Sequence, residues 1–284
     1  MKQLCIFTHF FSGEYIPFYV ELYLKELSKH FDEILLVTNT RNIQNLADFQ
    51  QYTPMLVANE GYDFGMFYKG FKSINAQEYS CIACINDSNI LFGKLDFLFD
   101  WAKTQSVDFW GLYDSDLKPH YSTHAENYHI QSHFMVFNVK AIRALSVFLA
   151  EKDIAKYFEE KNPKVLKQMV INDWEIGLSR YLINKGLTAK AYIESADFYL
   201  KNGIIKPTNL SLKNYHNLIK SGVPVLKKRI IFSTNLKHLV FSGEWKKLIN
   251  NYGSRDWDLA KLIAELAQMR KSHLLNKLRN KLKF

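Results

Sequence analysis

Short apolar runs that each close on a polar residue alternate along this chain with stretches whose apolar residues recur at helical spacing, and few folds accommodate that pattern. Gln3 to His9 and Glu33 to Thr38 read as buried strands, and between them Phe18, Leu22, Leu24, Leu27 and Phe31 give Tyr15 to Phe31 a helical rhythm. Met55 to Ala58 is expected as a third strand, Phe64 to Ile74 as a helix and Tyr79 to Ile85 as a fourth strand. This order predicts an α/β domain with a mostly parallel central sheet flanked by helices. Ligands of such sheets bind outside the carboxyl ends of the strands, where Asn59-Glu60-Gly61-Tyr62-Asp63 and Asn86-Asp87-Ser88 both fall.

Further along, Leu95 to Thr104 is expected as a helix and Val107 to Tyr113 as a strand, followed by a polar loop from Asp114 to Tyr128. His129 to Asn138 reads as one strand, Val139 to Glu151, Ile154 to Glu160 and Asp173 to Lys185 as helices, and Ala189 to Ile193 as the last strand. After about residue 200 the pattern changes. Asn209 to Ser221 and Val225 to Phe232 are amphipathic and basic, and Asp258 to Phe284 reads as one long lysine-rich helix. With 284 residues, 48% of them hydrophobic, the chain can bury one large core plus an appendage. We therefore expect a main domain over 1–200 and a basic helical extension over 201–284.

Charge divides the chain near the same place. Residues 201–284 carry 18 Lys+Arg against 4 Asp+Glu, a balance of +14, whereas residues 1–200 carry 19 against 24. A basic extension on an acidic body points to a polyanionic surface such as anionic lipid headgroups, with the last helix either lying on that surface or making an oligomer contact. Nucleic acid is the competing polyanion, and no nucleic-acid partner is expected: the basic residues lack the interleaved aromatics of single-strand binders. The longest apolar runs fall far short of the roughly 20 residues that cross a bilayer. The chain starts directly in a strand with no leader evident, and Cys5, Cys81 and Cys84 lie in strand-like runs, so reduced thiols in a cytoplasm are expected. Alternation puts Cys81 and Cys84 on opposite faces of their strand, which favours small apolar residues over a redox or zinc pair.

Four constellations could carry chemistry. Gly61 beside an acidic residue at a strand-to-helix turn lets the backbone approach a ligand, and Asp63 could accept hydrogen bonds from a ribose or base or could cap the helix instead. Asp87, delivered to a sheet edge by an apolar strand, suits Mg²⁺ or Mn²⁺ on a nucleotide diphosphate; its neighbours Asn86 and Ser88 are neutral oxygen donors, which leaves the metal open. The spacing of His120, His124, His129 and His133 matches no zinc finger. Within that set His129 and Gln131 share a strand face and either donate hydrogen bonds to a substrate together or satisfy each other. Glu175, in the first turn of a helix starting at Asp173, is the candidate general base, with Asp173 second; capping and helix-dipole stabilisation explain the same placement.

Together these clusters resemble the rhamnan synthesis protein F family of bacterial glycosyltransferases. The segments that carry the resemblance are Asn59 to Gly65, Ile85-Asn86-Asp87-Ser88-Asn89-Ile90-Leu91-Phe92-Gly93, Asp108 to Leu112, His129 to Phe137, Trp174 to Ser179 and Leu218 to Lys227, in the family's order. Gly65 and Met66 depart from it, standing where the family often has a proline-containing helix start. The resemblance implies a GT-A-like fold, a nucleotide-sugar donor, and transfer of rhamnose or another hexose to a growing surface glycan or lipid-linked acceptor: O-antigen, lipopolysaccharide, capsule or wall polysaccharide. It puts Asn59, Gly61 and Asp63 at the nucleotide, Asn86, Asp87 and Ser88 at the diphosphate and any divalent metal, His129 and Gln131 in the cleft, and Glu175 as base. Thr8, closing the first strand, completes the expected donor-binding set. The expected location is the inner face of the cytoplasmic membrane, held peripherally through the basic extension. A non-catalytic polyanion-binding protein and a sugar-phosphate transferase on a similar sheet are the alternatives.

Overall fold

The structure, a computed structural model, describes residues 1–11, 13, 15–43, 52–232 and 243–281. Its contacts divide the chain into two units, one of Met1–Ile16, Leu24–Asp87 and Asp96–Pro207, the other of Pro17–Tyr23, Ser88–Leu95 and Thr208–Phe284.

The strands of the first unit are β1 (Lys2–His9), β2 (Glu33–Thr38), β3 (Tyr52–Leu56), β4 (Tyr79–Asn86), β6 (Phe109–Ser115), β7 (His129–Ile130), β8 (Phe134–Asn138) and β9 (Ala189–Ile193), with β5 (Asn89–Leu91) in the second unit. They form one sheet in the order β3-β2-β1-β4-β8-β6-β7, with β9 also on β6. Pairings among β3, β2, β1 and β4 and between β6 and β9 are parallel; those of β8 with β4 and β6, and of β7 with β6, are antiparallel. The α/β architecture and the parallel half of the sheet follow the alternation in the sequence.

Helices cover both faces, and strand alternation sorts side chains between them. Leu4, Ile6, Leu35, Val37, Ile82, Cys84, Phe109 and Phe137 join one buried cluster with Phe64 and Phe67 of α2 (Tyr62–Lys72), Ile142 and Leu145 of α4 (Val139–Ala150) and Leu178 of α7 (Gly177–Asn184). Trp110, the neighbour of Phe109, faces the other way and meets Phe99 and Trp101 of α3 (Asp96–Lys103) edge-on at 5.7 and 5.8 Å between ring centroids.

Three expectations are corrected. The single strand expected over His129 to Asn138 is two strands joined by a turn, in which Gln131 N donates to Tyr113 O at 3.0 Å and Phe134 N to Gln131 O at 3.4 Å. Gly111 allows that fold-over: a Cβ there would sit 2.2 Å from Ile130 Cγ2 and 2.5 Å from Phe134 O. The helix expected to start at Asp173 starts at Pro163, because Asn162 caps Lys164 N at 3.0 Å and Pro163 occupies the first helical position. That helix, α6 (Pro163–Val170), runs through a π-helical turn, Ile171–Ile176, into α7, so Asp173 and Glu175 lie mid-helix and cap nothing. The extension expected to be helical also contains a strand: the basic segment Val225 to Phe232 is β10 (Val225–Lys227), antiparallel to β5, followed by a short helix Lys228–Phe232.

The second unit has its own core. Trp245, Leu248 and Ile249 of the helix Glu244–Tyr252 are buried, as are Leu262 and Leu266 of the long helix Leu259–Lys281. Phe18, first residue of α1 (Phe18–Leu27), donates its backbone N–H to both carboxylate oxygens of Glu265 at 2.8 and 3.0 Å, an N-terminal cap supplied from a distant part of the chain. Lys271 and, at 46% exposure, Leu275 face solvent; Leu282 and Lys283 lie outside the described residues. Among the described residues no helix is long and apolar enough to cross a membrane.

Phe109 has no exposed surface and stacks on Phe137. Phe109→Ala is expected to cost about 3–5 kcal/mol, read as a lower urea midpoint with an unchanged slope.

Candidate active site

β1 and β4 are neighbours in parallel register with Thr8 opposite Asn86, so both strands release the chain at one level of the sheet. The residues delivered there are polar and buried: Thr8, His9, Asn86 and Asp87 are 5% exposed or less. Asp87 N donates to Thr8 O at 3.2 Å. His9 bridges two groups, its Nδ1 lying 3.0 Å from Thr38 Oγ1 at the end of β2 and its Nε2 3.5 Å from Asp87 Oδ2. Nothing in the spacing of the sequence marks His9 as part of this group. Only the register of β1, β2 and β4, which aligns three strand ends, brings it in.

Asn86 extends the cluster to α2. Its backbone N–H donates to His133 O at 3.1 Å and its side-chain amide to Asp63 Oδ2 at 2.9 Å. Asp63 is thus an acceptor for Asn86 rather than the cap of α2. The cap position is Gly61, whose φ of +70° is left-handed, followed by Tyr62 with φ 53°, a conformation that side-chain-bearing residues adopt at a cost of roughly 1 kcal/mol or more. Tyr62 is held there by its hydroxyl, which donates to Pro163 O at 3.1 Å. Asn59 is exposed on the loop after β3. Ser88 opens the second unit, where its carbonyl accepts from Lys228 N at 2.9 Å.

His129 and Gln131 are brought together, but onto each other. His129 Nδ1 donates to Asn127 O at 2.6 Å, which leaves Nε2 to accept from the Gln131 amide at 3.0 Å. The loop before them is fastened to the π-helical turn: His124 Nε2 donates to Asn172 O at 2.7 Å, Thr123 N to Asn172 Oδ1 at 3.1 Å, and Asn172 Nδ2 to Tyr121 O at 3.1 Å. Of the two carboxylates on that turn, Asp173 is committed, accepting from the Tyr157 hydroxyl at 2.7 Å with Lys152 Nζ at 3.6 Å. Glu175 is half-buried and makes no hydrogen bond or ion pair with a described residue. The turn and Asp63 border one aromatic cluster, in which Phe64 meets Trp174 at 4.9 Å and Tyr157 at 5.0 Å between centroids.

Asp114, at the carboxyl end of β6, is a further buried carboxylate that spacing did not single out. It accepts from Ser195 N at 2.6 Å, and burial raises its pKa above the ordinary carboxylate range. The cysteines are free thiols, and burial pushes Cys81 up to about 12 and Cys5 and Cys84 well above the ordinary thiol value, which makes them unreactive packing residues. Neither they nor the loop histidines form a metal-ligand group of three among the described residues.

A family profile described as rhamnan synthesis protein F matches residues 34–278. The chain belongs to that family. No curated protein matches it. Similar solved structures include a putative glucose-1-phosphate thymidylyltransferase from Bacillus anthracis in complex with a sucrose, at 10% identity and TM-score 0.44, covering 73% of this chain and 97% of that one. A 4-diphosphocytidyl-2C-methyl-D-erythritol synthase from Anaerococcus prevotii has 14% identity and TM-score 0.41, covering 68% of this chain and 87% of that one. With TM-scores below 0.5, these likenesses decide nothing about the chemistry of this family member.

The raised pKa of Asp114 means that the folded state holds its proton to higher pH than the unfolded chain, so its contribution to stability falls as pH rises through the folded value. Asp114→Asn keeps an acceptor for Ser195 N. The stability of the unmodified protein relative to this variant is expected to decline from pH 4 toward neutrality, measured by urea unfolding across that range.

Proposed function

We propose that this chain is a glycosyltransferase that moves rhamnose or another hexose from a nucleotide-sugar donor to a growing surface glycan, with inversion at the anomeric carbon. The observation that carries the reading is the buried polar cluster of Thr8, His9, Asn86, Asp87 and Asp63 at the carboxyl ends of adjacent parallel strands, in a member of the rhamnan synthesis protein F family. In this reading Asn59, Gly61 and Asp63 receive the nucleotide, with the left-handed turn at Gly61 setting the course of the backbone there, and Thr8, Asn86 and Asp87 serve the diphosphate. His129 and Gln131 act as one bonded pair that holds the turn beside Tyr113 in place. Glu175 takes the proton of the acceptor hydroxyl while that oxygen attacks the anomeric carbon and the bond to the diphosphate breaks. The contrast between Asp173, fixed by Tyr157 and Lys152, and Glu175, uncommitted, favours Glu175 for this role.

A divalent cation fits this site only thinly. Asp87 belongs to no group of three protein ligands among the described residues, so Mg²⁺ or Mn²⁺ would be held by Asp87 together with the donor's own oxygens. Bound there, it would neutralise charge on the departing diphosphate. The acceptor in this reading is a lipid-linked glycan, met at the cytoplasmic membrane through the basic segment 201–284.

The test is nucleoside diphosphate release and product mass on incubation with a panel of nucleotide sugars and a soluble acceptor. Glu175→Gln and Asp87→Ala are expected to lower turnover by about 10²–10⁴-fold with unchanged circular dichroism. Full turnover in both variants removes the site assignment, and a product heavier by a sugar phosphate replaces glycosyl transfer with sugar-phosphate transfer.

A further inference from the structure

Away from these strand ends, Glu26, His30 and Asp96 each turn one ligand atom toward the others, all within 4.8 Å. Glu26 sits near the end of α1, His30 in the turn that follows, and Asp96 opens α3. The Glu26 carboxylate is 1% exposed. Lys29 Nζ reaches its Oε2 at 2.7 Å, but that lysine side chain is 48% exposed and therefore well screened. The second oxygen, Oε1, lies 3.7 Å from His30 Nε2, and Asp96 Oδ1 lies 3.6 Å from the same nitrogen. That nitrogen is buried and has no hydrogen-bond partner, although the His30 side chain is only 11% exposed and its ring is fixed by stacking on Phe99 at 4.0 Å and 10°.

These separations are too long for hydrogen bonds, which close at about 2.7–3.2 Å. They approach the spacing of two atoms bound to one ion: with metal–ligand bonds of 2.0–2.2 Å, tetrahedral ligands stand about 3.4 Å apart. One imidazole and two carboxylates, with a place left for water, is a donor set suited to zinc. We propose that Glu26, His30 and Asp96 bind Zn²⁺, which gives the buried His30 Nε2 a partner and pins the end of α1 to the start of α3. The site is independent of Asp87 and of the proposed transfer reaction.

Co²⁺, which replaces zinc and absorbs in the visible when bound by nitrogen and oxygen ligands, reports on the site directly in the full chain. The expected result is a saturable visible band displaced by Zn²⁺, retained in Asp87→Ala, and weakened at least about tenfold in affinity in both His30→Gln and Asp96→Asn. Asp96 is exposed, so Asp96→Asn tests the site without disturbing the core. Zinc is also expected to raise the melting temperature of the unmodified chain and not that of Asp96→Asn. A chain that gives no band and no thermal shift overturns the proposal and leaves His30 in long ion pairs. A band that survives in Asp96→Asn and His30→Gln but is lost in Asp87→Ala overturns it as well.

Discussion

The parallel pairing of β1 with β4 sets Thr8 opposite Asn86, and that of β1 with β2 sets His9 opposite Thr38. Three strands therefore release the chain at one level, and the polar groups they carry must satisfy one another, because almost none of their surface reaches water. His9 placed between Thr38 and Asp87, and Asn86 placed between the His133 carbonyl and Asp63, are the two ways this is done. Slipping the register of either strand by one residue would turn these groups into the apolar layer and bring Phe7 and Ile85 to the sheet edge.

Asn86 shows how the sheet and the first turn of α2 depend on each other. Its amide reaches Asp63 only because Gly61 starts α2 in a left-handed turn, and the strained Tyr62 that follows is anchored by its hydroxyl on the Pro163 carbonyl at the start of α6. Non-glycine residues in that region of backbone space persist where the surroundings over-determine them. Here the surroundings are two helices and a strand end.

The sequence pattern carried the sheet's first half because β1, β2 and β4 are continuous apolar runs, the signature of strands covered on both faces. Asn59, Asp63, Asn86 and Asp87 stood out because they punctuate those runs; of the four, the structure joins Asp63, Asn86 and Asp87 in the buried cluster and leaves Asn59 exposed on its loop. It missed where pairing outweighs local pattern. His129 to Asn138 alternates well enough to be one strand, yet Gly111 leaves room for the chain to turn over β6, and no local signal in the later segment announces that. His9 and Asp114 were unmarked for the same reason: a lone polar residue at a strand end acquires partners only through register and through a distant backbone N–H, that of Ser195 in the case of Asp114. The start of α6 was legible in Asn162-Pro163 and was outweighed by the acidic pair at 173 and 175 that imitates a first turn.

That imitation matters, because acidic residues at a helix start are stabilised by the helix itself and need no other explanation. Placed mid-helix, Asp173 and Glu175 lose that explanation. Asp173 regains one through Tyr157 and Lys152. Glu175 does not, and it stands on a π-helical turn, a local widening of the helix that is over-represented at functional sites. The same turn offers the Asn172 carbonyl to His124, so that the loop leading to His129 is tied to the backbone that carries Glu175. Glu175 thus stands on a distorted turn braced to the loop that leads to the bonded His129 and Gln131, without the hydrogen bond and ion pair that hold Asp173, and the role proposed for it as base rests on that contrast.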